Sequence, residues 1–461
     1  MRRPLSIRFP RWPFKRFRTK KCYTDRLTPD VLHQIFIESL EDNIYGPCSS
    51  LDETPLNVSQ VCRTWRTIVL GSPLLWSALR VGSLVDPDVP FQVHARQLEL
   101  WIKRSGNCPL SITILFQGSK KHGPGVVTGV DTVIAKILPH VRRWKSIRLH
   151  IPAACGAPLW QVLSTGAPCL EGLFVDFCEA GRQNPQLAHV SLCPRLRALR
   201  LPTDARLLCT SPVTLQNVQE LHVSFTSMDD CFQCLDSCPS VVDIDLILPS
   251  NSVDFSICIG QRVRLLPNLQ RMRLREEAKF VFIPHRHYTD NPRNNIGLFL
   301  DCLRVPSLTY LEIIQPWISQ VPHWNHLPSL IIRSQPHAAL TDSRPRVEKL
   351  TLTGSQIDEH QLVELLGYLP YLKHLIVDEL LITEFTLESI ITPLDTPFTI
   401  DGPGSTGTET HYWLCPNLKK IGIRDGASEK TYGVRAYPSV PLKRWFVFES
   451  SIEYLTDQPE Q

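Results

Sequence analysis

CPRLRALRL (193–201), CPSVVDIDL (238–246) and LPNLQRMRL (266–274) are copies of one short pattern: a proline, one variable residue, then apolar residues spaced L-x-x-L-x-L. The pattern returns as VPSLTYLEI (305–313), LPYLKHLIV (369–377) and CPNLKKIGI (415–423). Looser copies are APCLEGLFV (167–175) and RPRVEKLTL (344–352), and VRRWKSIRL (141–149) and TLQNVQELHV (214–223) lack the proline at that place. The first apolar positions are Trp144, Leu170, Leu196, Val218, Val241, Leu269, Leu308, Val347, Leu372 and Leu418, at intervals of 26, 26, 22, 23, 28, 39, 39, 25 and 46. The alternating apolar residues that close each copy have the period of a strand.

Helix-like stretches lie between these strands, at Met228 to Ser237, Ile257 to Leu266, Ile296 to Leu303 and Asp358 to Leu369. Each strand–helix unit leaves an apolar face that only its neighbours can cover, so the units must stack. Six of the nine intervals fall within the 20–29 residues of leucine-rich repeats, which the motif resembles. That resemblance implies an α/β solenoid, an irregular horseshoe because the asparagine of regular repeats is missing. Residues 95–115 read as an opening unit and Leu327-Pro328-Ser329-Leu330 as a degenerate copy. The segment 393–413, inside the longest interval, reads as a loop insertion.

Ahead of the repeats, Thr28-Pro29, Thr54-Pro55 and Ser72-Pro73 punctuate three helix starts. In each, the hydroxyl can cap an unpaired amide and the proline supplies helical φ at the first position. The first helix carries Val31, Leu32, Ile35 and Phe36 on one side, with Leu40 extending the stripe. The second carries Val58, Val61, Cys62, Trp65, Ile68 and Val69, and the third is Leu74-Leu75-Trp76 through Leu79.

The order Leu27-Thr28-Pro29-Asp30-Val31-Leu32, Val61-Cys62-Arg63-Thr64-Trp65-Arg66, then Leu74-Leu75-Trp76 resembles the F-box domains over about fifty residues. It departs from them in Thr28 between Leu27 and Pro29, and in the long insertion Glu41 to Asp52. The resemblance implies docking on a Skp-type adaptor and, through it, on a cullin ubiquitin-ligase core. It also implies adaptor contacts from Leu27, Pro29, Leu32, Ile35 and Phe36, with Val61, Trp65 and Trp76 holding the bundle together.

The expected fold is therefore α+β: a small N-terminal three-helix F-box-like bundle followed by an α/β leucine-rich-repeat-like solenoid. Its parts are a basic disordered arm (1–24), the helical domain (25–80), a connecting cap unit (81–140) and the solenoid (141–461). Residues 1–21 hold nine Lys and Arg and no acid, so the remaining chain has 40 basic against 45 acidic residues beneath the overall +4. With 43% hydrophobic and 20% charged residues in 461, the composition is that of an ordinary folded protein. No apolar run is long enough for a membrane span and no secretory signal is seen, so cytoplasm and/or nucleus is expected. An odd number of cysteines, 15, sits mostly at apolar positions and reads as reduced core thiols.

Cys231, Cys234 and Cys238 look like half a zinc site but lack a second ligand pair, and His285-Arg286-His287 is similarly isolated. Gly402-Pro403-Gly404-Ser405-Thr406-Gly407 has the spacing of a dinucleotide fingerprint without its βαβ setting. No catalytic residue, cofactor or metal is expected. The function expected is substrate recognition in a Skp–cullin–F-box ubiquitin ligase, with a target protein of unknown identity held by the repeats. The competing reading is a repeat scaffold or nucleic-acid-associated protein with no ubiquitin role, although nucleic acid is not the expected partner. Strand alternation turns Arg148, Arg200, His222, Arg273 and neighbouring Arg275 outward as candidate target contacts, a basic bias suited to an acidic segment.

Overall fold

In a computed structural model the described residues are 26–41, 54–82, 90–116, 124–178, 186–190, 192–202, 205–208, 215–225, 227–249, 263–276, 295–315, 325–334, 346–354, 357–378, 382–391, 398–401, 408–411, 414–425, 428–437 and 440–449. The basic arm 1–24, nearly all of the Glu41 to Asp52 insertion, His285 to His287, Gly402 to Gly407 and most of the expected 257–266 helix lie outside them.

The repeated proline has one local job. In Cys193-Pro194-Arg195-Leu196 the Leu196 amide donates to the Cys193 carbonyl at 3.1 Å, closing a β-turn with proline at its second position. Leu170 to Ala167, Val241 to Cys238, Leu269 to Leu266, Leu308 to Val305, Leu372 to Leu369 and Leu418 to Cys415 close the same turn. Proline's fixed φ suits that position, and its missing N–H is not needed there. The residue after each turn then binds the preceding repeat: Arg197 N–H to Glu171 O, Gln219 to Arg197, Val242 to Gln219 and Gln270 to Val242, at 2.7–2.8 Å. Side chains repeat the step, with Asn217, Asn268 and Asn417 donating to the carbonyls of Pro194, Pro239 and Pro370 in the preceding copies. The repeats thus have an asparagine link of their own.

The described residues include twenty strands. They are β1 (Ala78–Val81), β2 (Leu110–Leu115), β3 (Trp144–Ile151), β4 (Gly172–Phe177), β5 (Gln186–His189), β6 (Ala198–Arg200), β7 (Ala205–Leu208), β8 (Glu220–Ser224), β9 (Asp243–Leu248) and β10 (Arg264–Leu265). Then come β11 (Arg271–Glu276), β12 (Leu303–Arg304), β13 (Tyr310–Ile314), β14 (Lys349–Thr353), β15 (His374–Asp378), β16 (Phe398–Asp401), β17 (Thr408–His411), β18 (Lys420–Asp425), β19 (Ser428–Tyr437) and β20 (Val440–Glu449). Sixteen form one sheet, ordered β1-β2-β3-β4-β6-β8-β9-β11-β13-β14-β15-β18-β19-β20, with β7 also beside β8 and β5 beside β7. The pairs along this path are parallel up to β18, and β19 and β20 add an antiparallel ending.

Register carries one apolar row across ten strands: Ile147, Leu173, Leu199, Leu221, Ile244, Met272, Leu311, Leu350, Leu375 and Ile421. All ten are buried in one core with residues from the intervening helices, such as Phe232, Phe299 and Leu365. Truncating one of the leucines to alanine should cost about 2–5 kcal/mol. Cys231, Cys234 and Cys238 are buried in the same core, the first two on the helix Met228–Asp236 capped by Ser227. The helix Glu359–Gly367 begins in a capping box, Asp358 with Gln361.

Four expectations need correction. Leu327 to Leu330 lies in a helix, His326–Ser334, because its leucines fall at positions that face the core at helical spacing rather than extending into a strand. The 393–413 insertion contains an antiparallel pair, β16 with β17, so it is not loop throughout. The second N-terminal helix is two, α2 (Leu56–Ser59) and α3 (Arg63–Leu70), after α1 (Pro29–Glu41), because Cys62 is extended and its Sγ accepts from the Trp65 amide at 3.4 Å as a cap. The hydroxyl caps also differ: Thr54 Oγ1 meets Ser39 Oγ at 3.0 Å, Ser72 Oγ meets His33 Nε2, and only Thr28 reaches an amide of its helix, that of Val31, at 3.5 Å.

Candidate functional site

Two surfaces carry the residues of interest. The first lies on α1. Leu32 and Phe36 are 4% and 2% exposed, and Phe36 packs on Trp65 with ring centroids 4.9 Å apart. Leu27, Val31 and Ile35 are 38%, 45% and 47% exposed. Four-residue spacing stacks Val31 and Ile35 along one side of the helix, which exposed Pro29 begins, and Leu27 stands two residues ahead of it. One helix thus has a packed apolar stripe and a second that faces solvent.

That division corrects the expected contact set. Leu27, Pro29 and Ile35 are outward, whereas Leu32 and Phe36 are core, and Val31 belongs with the outward group. Val61, expected in the core, is 61% exposed because the break between α2 and α3 turns it out of helical phase. Trp65 is half-buried. Trp76 is buried, donates to Val69 O at 2.8 Å, and lies beneath the Arg104 guanidinium at 4.3 Å.

The second surface is the face of the sheet opposite the apolar row. Its central row runs in register through Arg148, Phe174, Arg200, His222, Asp245, Arg273, Glu312, Thr351, Ile376 and Gly422. Neighbouring strands are about 4.8 Å apart, which puts adjacent side chains of the row within reach of one another. The five candidate contacts Arg148, Arg200, His222, Arg273 and Arg275 all lie on this face.

They are not free cations. Arg148 stacks over Phe174 at 4.1 Å, and Arg200 Nη2 is 3.8 Å from Asp176. Arg275 grips Asp245 with both nitrogens, Nε to Oδ1 at 3.1 Å and Nη2 to Oδ2. Arg271 Nε is 2.8 Å from Asp243, and Arg273 Nε is 3.3 Å from Glu312. Tyr310 donates to Glu312 at 2.7 Å, and burial with the Glu312 charge pushes its phenol up. Burial holds the His222 imidazole below its ordinary value despite Asp245 and Asp243, so it is neutral at pH 7, and its 3.7 Å approach to Asp245 is longer than a hydrogen bond. Four arginines meet four carboxylates, which corrects the expected basic bias. The sequence pattern shows which residues face outward, but their partners sit a repeat away and emerge only from register.

Sequence reading also passed over Lys349, His374 and Lys420, which continue the row of Asp243, Arg271 and Tyr310. The signal was present, since each stands two residues before a residue of the central row. Among the described residues no helix is long and apolar enough to cross a membrane, and no cluster of His, Cys, Asp and Glu is placed to hold a metal ion. No family model matches the chain, and no curated protein matches it.

Proposed function

We propose that this chain is the substrate-recognition subunit of a Skp–cullin–F-box ubiquitin ligase, working in the cytoplasm and/or nucleus. The N-terminal helices act as the F-box and dock on the Skp-type adaptor, while the sheet acts as a leucine-rich-repeat solenoid that holds a target. The observation that carries this reading is the solvent-facing pair Val31 and Ile35 on a helix whose other side is already packed, with exposed Leu27 just ahead of its first residue. A helix needs one apolar stripe to fold onto a core, and a second marks a surface for another molecule.

The reading needs no catalytic residue in this chain. Holding a target beside a charged ubiquitin-conjugating enzyme raises its effective concentration, and the rate gain comes from that proximity. Size-exclusion chromatography of the full chain mixed with a Skp-type adaptor tests it. Comigration supports the reading. A folded chain that elutes apart from the adaptor at micromolar concentrations overturns it and leaves the repeat-scaffold reading.

A further inference from the structure

The two edges of the sheet differ. β1, the first, is four residues long, whereas β20, the last, runs ten, Val440–Glu449. Among the described residues β20 pairs with β19 alone, in regular register from Thr431 opposite Glu449 to Ala436 opposite Arg444. In an antiparallel pair alternate residues turn their N–H and C=O toward the partner strand, so the others along β20 turn theirs to the open side. An edge of that length is a template for another strand unless something blunts it. Pro441 and the irregularity between Ala436 and Tyr437 interrupt the first residues of β20, so its regular run is Arg444 to Glu449, with Lys443 just ahead.

The residues of this edge are those of an interior strand. Trp445, Phe446, Val447 and Phe448 follow one another without a polar residue, whereas a strand with one solvated face alternates apolar with polar. Charge flanks the run, Lys443 and Arg444 before it and Glu449 after it. Two copies of one strand can pair antiparallel only about a two-fold axis at a residue, because the outward-turned residues are alternate ones and must face their own kind. An axis at Phe446 sets Phe446 opposite itself, Trp445 opposite Val447, Arg444 opposite Phe448 and Lys443 opposite Glu449. An axis at Trp445 sets Lys443 opposite Val447, and one at Val447 carries Lys443 past the last residue of the strand. The axis at Phe446 is thus the one that sets opposite charges against each other.

We propose that the β20 edge pairs with the β20 edge of a second copy of this chain, antiparallel about a two-fold axis at Phe446, so that one sheet continues through both copies. Charge complementarity selects this occupant: the same residues supply both sides, and each copy's Lys443 stands opposite the other's Glu449. Cross-strand pairs of opposite charge, and of aromatic with β-branched residues such as Trp445 with Val447, each stabilise such a ladder. The edge lies at the opposite end of the sheet from β1 and the N-terminal helices, so the pairing stands whether or not α1 docks an adaptor.

Sedimentation velocity of the full chain across the micromolar range, at low ionic strength to limit screening, tests this. The mass should rise with concentration from the 52.5 kDa of one chain toward twice that value. Lys443→Glu or Glu449→Lys alone turns two attractive cross-strand pairs repulsive and should weaken the dimer about tenfold or more. Lys443→Glu combined with Glu449→Lys exchanges the charges and should restore it. A benzoylphenylalanine in place of Phe446 should cross-link two copies through residues 443–449. A chain that stays monomeric throughout, a dimer that either single reversal leaves unchanged, a double reversal no tighter than the singles, or cross-links that land outside 443–449 would each overturn the proposal. The single-reversal variants should still comigrate with the Skp-type adaptor, so failure here and failure of the ligase reading are separate results.

Discussion

The Trp76 indole stands edge-on to the Trp101 indole, ring centroids 4.7 Å apart and planes at 72°. Trp101 lies on the helix Phe91–Arg104 and donates to the Ala78 carbonyl of β1 at 3.1 Å. The N-terminal helices are therefore joined to the first edge of the sheet through two buried aromatic rings. The expected boundary near residue 80 falls inside β1, so the junction is a packed one.

Trp76→Ala should cost about 3–5 kcal/mol, from the cavity it leaves, the lost Val69 hydrogen bond and the lost edge-on contact. Urea denaturation checks it, with hydrogen exchange of the α1 to α3 amides reporting the module and far-ultraviolet circular dichroism reporting the whole chain. The two probes should shift together. A shift in amide exchange alone would mean that the module unfolds independently of the sheet.

Asp245 is buried on the open face and held by Arg275. Asp245→Asn should cost about 1–3 kcal/mol, because the buried carboxylate's charge-assisted hydrogen bonds to the half-exposed Arg275 would be lost. A variant as stable as the parent in chemical denaturation would show that desolvation cancels the pair's attraction.

Burial pushes the Glu276 carboxyl, at the end of β11, up to about 7. A carboxyl raised in the folded state favours folding below its unfolded value, about 4.3, and loses that contribution as pH rises through the folded one. At pH 8 the charged group is a burden. Glu276→Gln should raise stability at pH 8 by on the order of 2 kcal/mol and change nothing at pH 4. Melting curves across that range check it, and an equal effect at both ends would remove titration as the cause.

Much of the sheet was legible in the sequence because proline turns and alternate apolar residues are local signals. All ten copies of the motif end in a strand of the one sheet, and Ile147 through Ile421 follow from reading them in order. What was not legible depended on phase or on distant partners. Apolar spacing grouped Leu32 and Phe36 with Val31 and Ile35, since both stripes of α1 are apolar and only packing against Trp65 separates them. The break at Cys62 was hidden because Val58, Val61, Trp65 and Val69 keep helical spacing across it. The charge pairs of the open face join residues 24 to 39 positions apart, which no window along the chain can see.

The central claim is that α1 docks a Skp-type adaptor through its outward stripe, and isothermal titration of the full chain with that adaptor measures it most directly. The parent should bind at micromolar affinity or tighter. Val31→Asp with Ile35→Asp should lose at least about 3 kcal/mol of that binding, because two carboxylates would have to be desolvated in an apolar contact. Both positions are exposed, so the melting temperature should stay within a few degrees of the parent's. Undiminished binding by the folded double variant would contradict the account.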